Sequence, residues 1–164
     1  MITYTTHYPS PLGRLQIQCS DQNIKSVLFT AEEEIQEENN HPLLQACQAQ
    51  FDEYFAGRRR TFDLPLLQCG TAFQQKVWDL LYQIPYGKTF SYYELSQQYG
   101  DTKAIRAVAS ANGKNNLAII VPCHRVIGSD SSLTGYAGGL WRKRWLLEHE
   151  AKYHLGVHQL GLEI

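Results

Sequence analysis

Leu15, Ile17 and Cys19 alternate with Arg14, Gln16 and Gln18. A period of two sends one set of side chains to one face, so the spacing predicts a half-buried strand. Ser20-Asp21-Gln22-Asn23 reads as a turn and Ile24 to Phe29 as the returning strand. Leu43, Leu44, Cys47, Phe51, Tyr54 and Phe55 then recur at the spacing of an amphipathic helix, which Gly57 ends. Cys47 lies on that apolar stripe and is expected in the core. Between strands and helix, Glu32, Glu33, Glu34, Glu37 and Glu38 form an acidic run, read as a solvated loop or helix face. Thr61 to Gly70, with Pro65, reads as a connecting stretch.

The pattern after residue 70 is mainly helical. Phe73, Val77, Trp78, Leu81 and Ile84 mark one helix, closed by Pro85 and Gly87. Ser91 and Glu94 have the spacing of a capping box, and Gly100 ends the short helix they open. Asp101 or Thr102 can cap the next helix, expected to run to about Asn112 with Gly113 as its stop. Two short helices joined by a glycine-containing turn have the proportions of a helix-turn-helix. On the second, Ile105, Val108 and Ala109 share an inward face, while Lys103, Arg106 and Ser110 share an outward one, with small Ala107 beside Arg106. A basic face without bulky side chains can approach a nucleic-acid groove closely.

Charge distribution is compatible with that reading. The net charge is −1, but residues 1–70 hold 5 Lys+Arg against 9 Asp+Glu and residues 71–164 hold 10 against 7. A positive second half suits a local phosphate contact, whereas the near-neutral whole argues against a generic nucleic-acid coat. No apolar run is long enough to span a bilayer. MITYTTHYPSPLGRL lacks a charged start and an apolar core, so no secretory signal is expected. The expected location is the cytoplasm, or the nucleus of a nucleated cell.

Cys19, Cys47, Cys69 and Cys123 are widely spaced, which suggests neither a zinc ribbon nor a disulfide framework. Cys123 differs from the others in its setting. Leu117-Ala118-Ile119-Ile120-Val121 is wholly apolar, suits a buried strand, and leads into Pro122-Cys123-His124-Arg125. Pro122 fixes its own φ and biases Val121 towards extended geometry. A free thiol with a pKa near ~8.5 is only ~3 % ionised at neutral pH, so a nucleophilic cysteine needs a proton acceptor. His124 is adjacent, and either Glu148 or Glu150 can orient it.

Ile120 to Gly128 (IVPCHRVIG) resembles the active-site signature of the O6-alkylguanine-DNA alkyltransferases. Four further segments resemble that family in the same order: FQQKVWDLLYQIPYGKTFSY at 73–92, Arg106-Ala107-Val108, Thr134 to Leu140, and Trp145 to Glu150. The resemblance covers about residues 71 to 150, with residues 1–70 matching mainly in layout. It implies an α/β lobe at 1–70, ribonuclease-H-like with a short antiparallel sheet and a helix. It implies a winged-helix-like helical domain at 71–164.

The resemblance also assigns roles. Cys123 would take the alkyl group, His124 would act as base through a water, and Glu150 rather than Glu148 would orient His124. Tyr92 would donate to the departing base, and Asn115 would tie the recognition helix to the active-site segment. Val126, Tyr136 and Ala137 would line the base pocket. Arg106 would fill the stack left by a flipped nucleotide, with Tyr92, Lys103, Ala107 and Ser110 facing the DNA. The implied partner is double-stranded DNA carrying alkylated guanine, met by a monomer. Whether O4-alkylthymine is also a substrate stays open at the level of sequence, and no cofactor or metal is implied.

Two positions depart from the family pattern: Asn116, where proline is frequent, and Arg144, where an acidic residue is frequent. The first would loosen the hinge and the second is a surface change. His154 and His158 have i, i+4 spacing, but Gly156 intervenes and no metal site is expected. A DNA-binding module without chemistry is disfavoured by the presence of Cys123 and its base. A cysteine hydrolase draws its base from a distant segment and needs an oxyanion hole, which adjacent Cys-His does not match.

Overall fold

The computed structural model describes residues 2–31 and 38–155. Glu32, Glu33, Glu34, Glu37 and His158 therefore lie outside the described residues. The chain divides into two compact units, Met1–Cys69 with Asn116–Ala118, and Gly70–Asn115 with Ile119–Ile164.

In the first unit three antiparallel strands follow one another: β1 (Tyr4–Ser10), β2 (Gly13–Cys19) and β3 (Ile24–Phe29). The alternation of β2 is realised, with Leu15, Ile17 and Cys19 fully buried. Leu15 pairs with Phe29 and Ile17 with Val27 in the neighbouring β3. Helix α1 (Pro42–Phe55) buries Leu44, Cys47, Phe51 and Tyr54, the stripe read from the sequence. Burying each large apolar side chain contributes roughly 1.5–3 kcal/mol.

Strand β1 has no counterpart in the sequence pattern. Its residues Thr6, His7 and Tyr8 are buried in succession, so no alternation marks it. Polar groups on this strand are bonded instead: Tyr8 donates to Asp52 at 2.6 Å, and His7 Nδ1 lies 3.3 Å from Glu38. The connecting stretch is also less free than expected. Leu66 bridges Ile24 in parallel, with Ile24 N donating to Pro65 O at 2.8 Å and Leu67 N to Ile24 O at 3.0 Å. Asn116–Ala118 add a second short parallel pairing to Val27. Together they cover backbone that an edge strand would leave open.

The second unit contains α2 (Ala72–Tyr82), β4 (Phe90–Ser91), α3 (Tyr92–Tyr99), α4 (Ile105–Gly113), β5 (Val126–Ile127) and α5 (Leu140–Leu155). Val77, Trp78, Leu81, Leu95, Val108, Leu146 and Leu147 are buried. The Trp78 indole donates to Ala111 O at 2.9 Å, which ties α2 to α4. Ser91 and Glu94 form the expected capping box, and Gly100 ends α3 at φ 104°, a conformation that a side chain would strain. Asp101, not Thr102, is the cap of the next segment, accepting from Lys103 N at 2.9 Å. The helix expected there begins as a 3-10 turn, Thr102–Ala104, before α4. Gly113 belongs to α4, and Lys114 occupies the C-cap. Strands β4 and β5 pair in parallel, Phe90 opposite Val126 and Ser91 opposite Ile127. They join the start of α3 to the segment after Cys123. Among the described residues no helix is long and apolar enough to cross a membrane.

Candidate active site

The segment before Cys123 is as buried as its composition requires, but it is not a strand. Leu117 makes one bridge, residues 118–120 form a turn, and Ile119 has φ 72°. A β-branched residue in the left-handed region costs on the order of 1–3 kcal/mol and persists only where the surroundings impose it. Local propensity suggests extension; close packing of Ile119, Ile120 and Val121 into the unit overrides it.

The chain then makes an inverse γ-turn at Pro122 (φ −81°, ψ 63°), closed by Cys123 N donating to Val121 O at 2.8 Å. The same Val121 carbonyl accepts from Asn115 Nδ2 at 2.8 Å. Asn115 thus holds the turn that presents Cys123, and Asn116 beside it does not disrupt that bond. Cys123, His124 and Arg125 form a single 3-10 turn that runs into β5.

His124 is fully buried. Its Nε2 lies 2.6 Å from Glu150 Oε2, and its Nδ1 is buried without a hydrogen-bond partner among the described residues. Glu150, not Glu148, faces this imidazole. Glu148 pairs at 2.9 Å with Arg144 on the surface of α5, which places the departing residue Arg144 in an ordinary i, i+4 ion pair. Burial alone would raise the Glu150 pKa, but His124 and Arg125 outweigh it and hold the carboxyl well below the usual carboxylate range. Burial also dominates at His124 and lowers its pKa, against the opposing pull of Glu150. The imidazole is therefore neutral at neutral pH and able to accept a proton.

Burial pushes the Cys123 thiol up, while the Asn115 hydrogen bond, the positive charge of Lys143 and a backbone hydrogen bond pull it back. At rest the sulfur is a protonated thiol, and its activation requires proton removal. The Tyr92 hydroxyl donates to Thr134 O at 3.1 Å, at the start of the loop that precedes α5. Burial raises the Tyr92 pKa, as it does more strongly at Tyr136, so both phenols remain donors. Tyr136 Oη is buried without a partner among the described residues, Val126 is fully buried on β5, and Ala137 is exposed.

Two residues at the site were not foreseen. Arg125 grips Glu150 with Nε at 2.7 Å and Nη2 at 3.0 Å, and donates from Nη1 to Ile84 O at 2.6 Å. Lys143 is fully buried, donates to Thr134 O at 2.8 Å, and has its pKa lowered from 10.5 to about 8 by burial. A signal for Lys143 was present: Lys143, Leu146, Leu147 and Glu150 stand at i, i+3, i+4 and i+7, one face of α5. Flanking Arg142 and Arg144 disguised it as part of a surface charge run. Of the predicted DNA-facing residues, Lys103, Arg106, Ala107 and Ser110 are exposed and Tyr92 is half-buried, while Val108, Ala111 and Asn112 form the buried face of α4. Ile105 and Ala109 are half-buried.

A buried thiol, a His–Glu pair and a helix-turn-helix thus occur within one unit. Residues 72–152 match the DNA binding domain of 6-O-methylguanine DNA methyltransferase, and residues 3–68 match its ribonuclease-like domain. The chain is 46 % identical over 145 residues to the constitutive methylated-DNA–protein-cysteine methyltransferase of Bacillus subtilis, spanning 84 % of this chain and 88 % of that one. It is 42 % identical over 153 residues to the methylated-DNA–protein-cysteine methyltransferase of Haemophilus influenzae, spanning 90 % and 86 %. The crystal structure of the Mycobacterium tuberculosis O6-methylguanine methyltransferase superposes with a TM-score of 0.83 at 40 % identity, covering 93 % of this chain and 94 % of that one. The Mycobacterium tuberculosis protein in complex with DNA gives 0.82 at 41 % identity, covering 92 % and 93 %. The chain belongs to the 6-O-methylguanine DNA methyltransferase family.

Proposed function

We infer that this protein is a methylated-DNA–protein-cysteine methyltransferase that repairs DNA by direct reversal, moving the alkyl group of O6-alkylguanine onto Cys123. The observation that carries the reading is the buried pair, at 2.6 Å, of His124 on the turn that presents Cys123 with Glu150 on α5. With Nε2 committed to the carboxylate, Nδ1 is the basic nitrogen, and it has no partner among the described residues. The thiol proton passes through a bridging water to Nδ1. Sγ attacks the alkyl carbon in line, the S–C bond forms, and the C–O6 bond breaks with its electron pair going to the guanine. Tyr92 donates to the departing base and limits its charge. Glu150 steadies the resulting imidazolium.

The alkyl group comes from the lesion itself. The product is a thioether, a poor leaving group, and no second thiol stands nearby in the turn to displace it. One protein molecule therefore performs one transfer. A base inside a duplex is out of reach, so the nucleotide is flipped out at a cost of a few kcal/mol. The exposed Arg106 on α4 fills the vacated stack, with Lys103, Ala107 and Ser110 against the groove, and Val126, Tyr136 and Ala137 line the base pocket.

The test uses a duplex labelled in the methyl group of a single O6-methylguanine. The expected result is one equivalent of label fixed on the protein, none released as methanol, and no further transfer on a second addition of DNA. Binding of the duplex without label transfer would instead favour a lesion-sensing module without chemistry. Repeated turnover would contradict the reading.

A further inference from the structure

Glu150 holds more bonds than the orientation of one imidazole requires. Its Oε2 faces His124 Nε2 at 2.6 Å and Arg125 Nη2 at 3.0 Å; its Oε1 accepts from Arg125 Nε at 2.7 Å and from Gly87 N at 3.4 Å. The Arg125 fork is itself fixed by Nη1 on Ile84 O at 2.6 Å, and the whole cluster is buried. A planar guanidinium bidentate on a carboxylate fixes both its position and its ionisation, which a point charge does less well.

We propose that Arg125 is a positioning residue for alkyl transfer: by clamping Glu150 it locks His124 with its proton on Nε2 and its Nδ1 free, and by its own positive charge it opposes a second proton on the ring before the transfer. This rests on the reading of Cys123 and His124 given above. The geometry supports each half. A carboxylate already saturated by two guanidinium bonds is a poor acceptor for the full proton on Nε2, so that proton stays on the ring. A cation on the neighbouring residue also opposes formation of imidazolium, which burial disfavours already.

The charged and titratable groups around His124 are few. From its own turn come Cys123 and Arg125; from α5 come Glu150 and Lys143. Tyr136, on the loop before α5, interacts with both Cys123 and Glu150. Beyond Arg125 lie the Tyr86 ring, 5.6 Å from the guanidinium, and His154, whose ring is 6.5 Å from that of Tyr86. Of these, only Glu150 favours the imidazolium, and Arg125 and Lys143 oppose it.

The experiment measures single-turnover transfer from O6-methylguanine DNA against pH for the parent chain, Arg125→Lys and Arg125→Gln. Rates are taken per active molecule, counted from the final extent of protein methylation. Arg125→Lys keeps the charge and loses the fork: its plateau rate is expected to fall about tenfold with the acid limb in place. Arg125→Gln loses both: the imidazole holds its proton to higher pH, so the acid limb moves up. The ratio of rates at about pH 6 and about pH 8.5 then drops about threefold or more.

Nitrogen NMR of His124 gives a second readout. The parent ring is expected to be protonated at Nε2 alone and the Arg125→Lys ring to be a mixture of tautomers. Should Arg125→Gln fail to fold, the rate and ring spectrum of Arg125→Lys decide. Variants that lose only thermal stability, with parental rate, acid limb and tautomer per active molecule, overturn the proposal. A parent chain that transfers nothing overturns instead the reading beneath it.

Discussion

Replacing Lys143 with methionine is expected to make the protein more stable and less active. Lys143 is a fully buried amine whose polar contacts among the described residues are one hydrogen bond to Thr134 O and a place 5.7 Å from the Tyr92 ring. Burial lowers its pKa from 10.5 to about 8. That displacement corresponds to about 3 kcal/mol spent on keeping the amine charged at pH 7. Methionine has a similar length and no charge to desolvate. The lost hydrogen bond is worth about 1 kcal/mol, and Thr134 is exposed, so water can replace it. The net gain is about 2 kcal/mol, or roughly 4–8 °C in melting temperature for a chain of this size.

The pH dependence gives the same prediction an independent check. Between about 8 and 10.5 the unfolded chain holds the Lys143 proton that the folded chain has released. Stability of the parent protein therefore rises with pH across that window, and the advantage of Lys143→Met shrinks over the same interval. All three tryptophans, Trp78, Trp141 and Trp145, lie in the second unit, so urea unfolding followed by tryptophan fluorescence reports on the unit that holds Lys143. The activity cost follows from the charge that lowers the Cys123 pKa: without it, transfer is expected to slow about tenfold. A Lys143→Met protein less stable than its parent at pH 7, with the same stability slope above pH 8, would show that the buried amine costs the fold nothing.

Individual contacts carry the other predictions. Asn115→Ala removes the donor that holds Val121 O and favours the thiolate, so single-turnover transfer should slow by about 10- to 100-fold while lesion binding persists. Thiol labelling of the native protein should modify exposed Cys69 first and leave Cys19 and Cys47 untouched until unfolding, because both are fully buried and burial pushes Cys47 up to about 12. Arg106→Ala should slow transfer from duplex DNA and leave transfer from a free O6-alkylguanine base unchanged; equal loss on both would contradict its place in the stack. Lys103→Ala should lower the slope of log affinity against log salt by about one, as loss of one phosphate contact requires.

The elements with a clean period were legible in the sequence. The alternation of Leu15, Ile17 and Cys19, the stripe of α1 and the capping box of α3 are local signals, and local physics decides them. Strand β1 was not legible, because its burial comes from neighbours distant in sequence rather than from its own pattern. The turn at Ile119 reads as strand in the sequence for the same reason: an apolar run specifies burial but not direction. At the site, His124 stood out beside Cys123. The choice between Glu148 and Glu150 needed either resemblance or geometry, since both lie on one helix. Arg125 was hidden because charged residues are usually exposed, and Lys143, although it shares a helix face with Leu146, Leu147 and Glu150, was masked by flanking Arg142 and Arg144; packing shows the two buried against a carboxylate and a carbonyl.

Of the four cysteines, Cys123 alone is expected to receive the alkyl group. The most direct measurement is peptide mass mapping after incubation with a duplex carrying one O6-methylguanine. The expected result is a one-methyl gain on the peptide containing Cys123, with Cys19, Cys47 and Cys69 unmodified and the gain abolished in Cys123→Ser. A methyl group on any other residue, or an unmodified protein beside repaired DNA, would contradict the account.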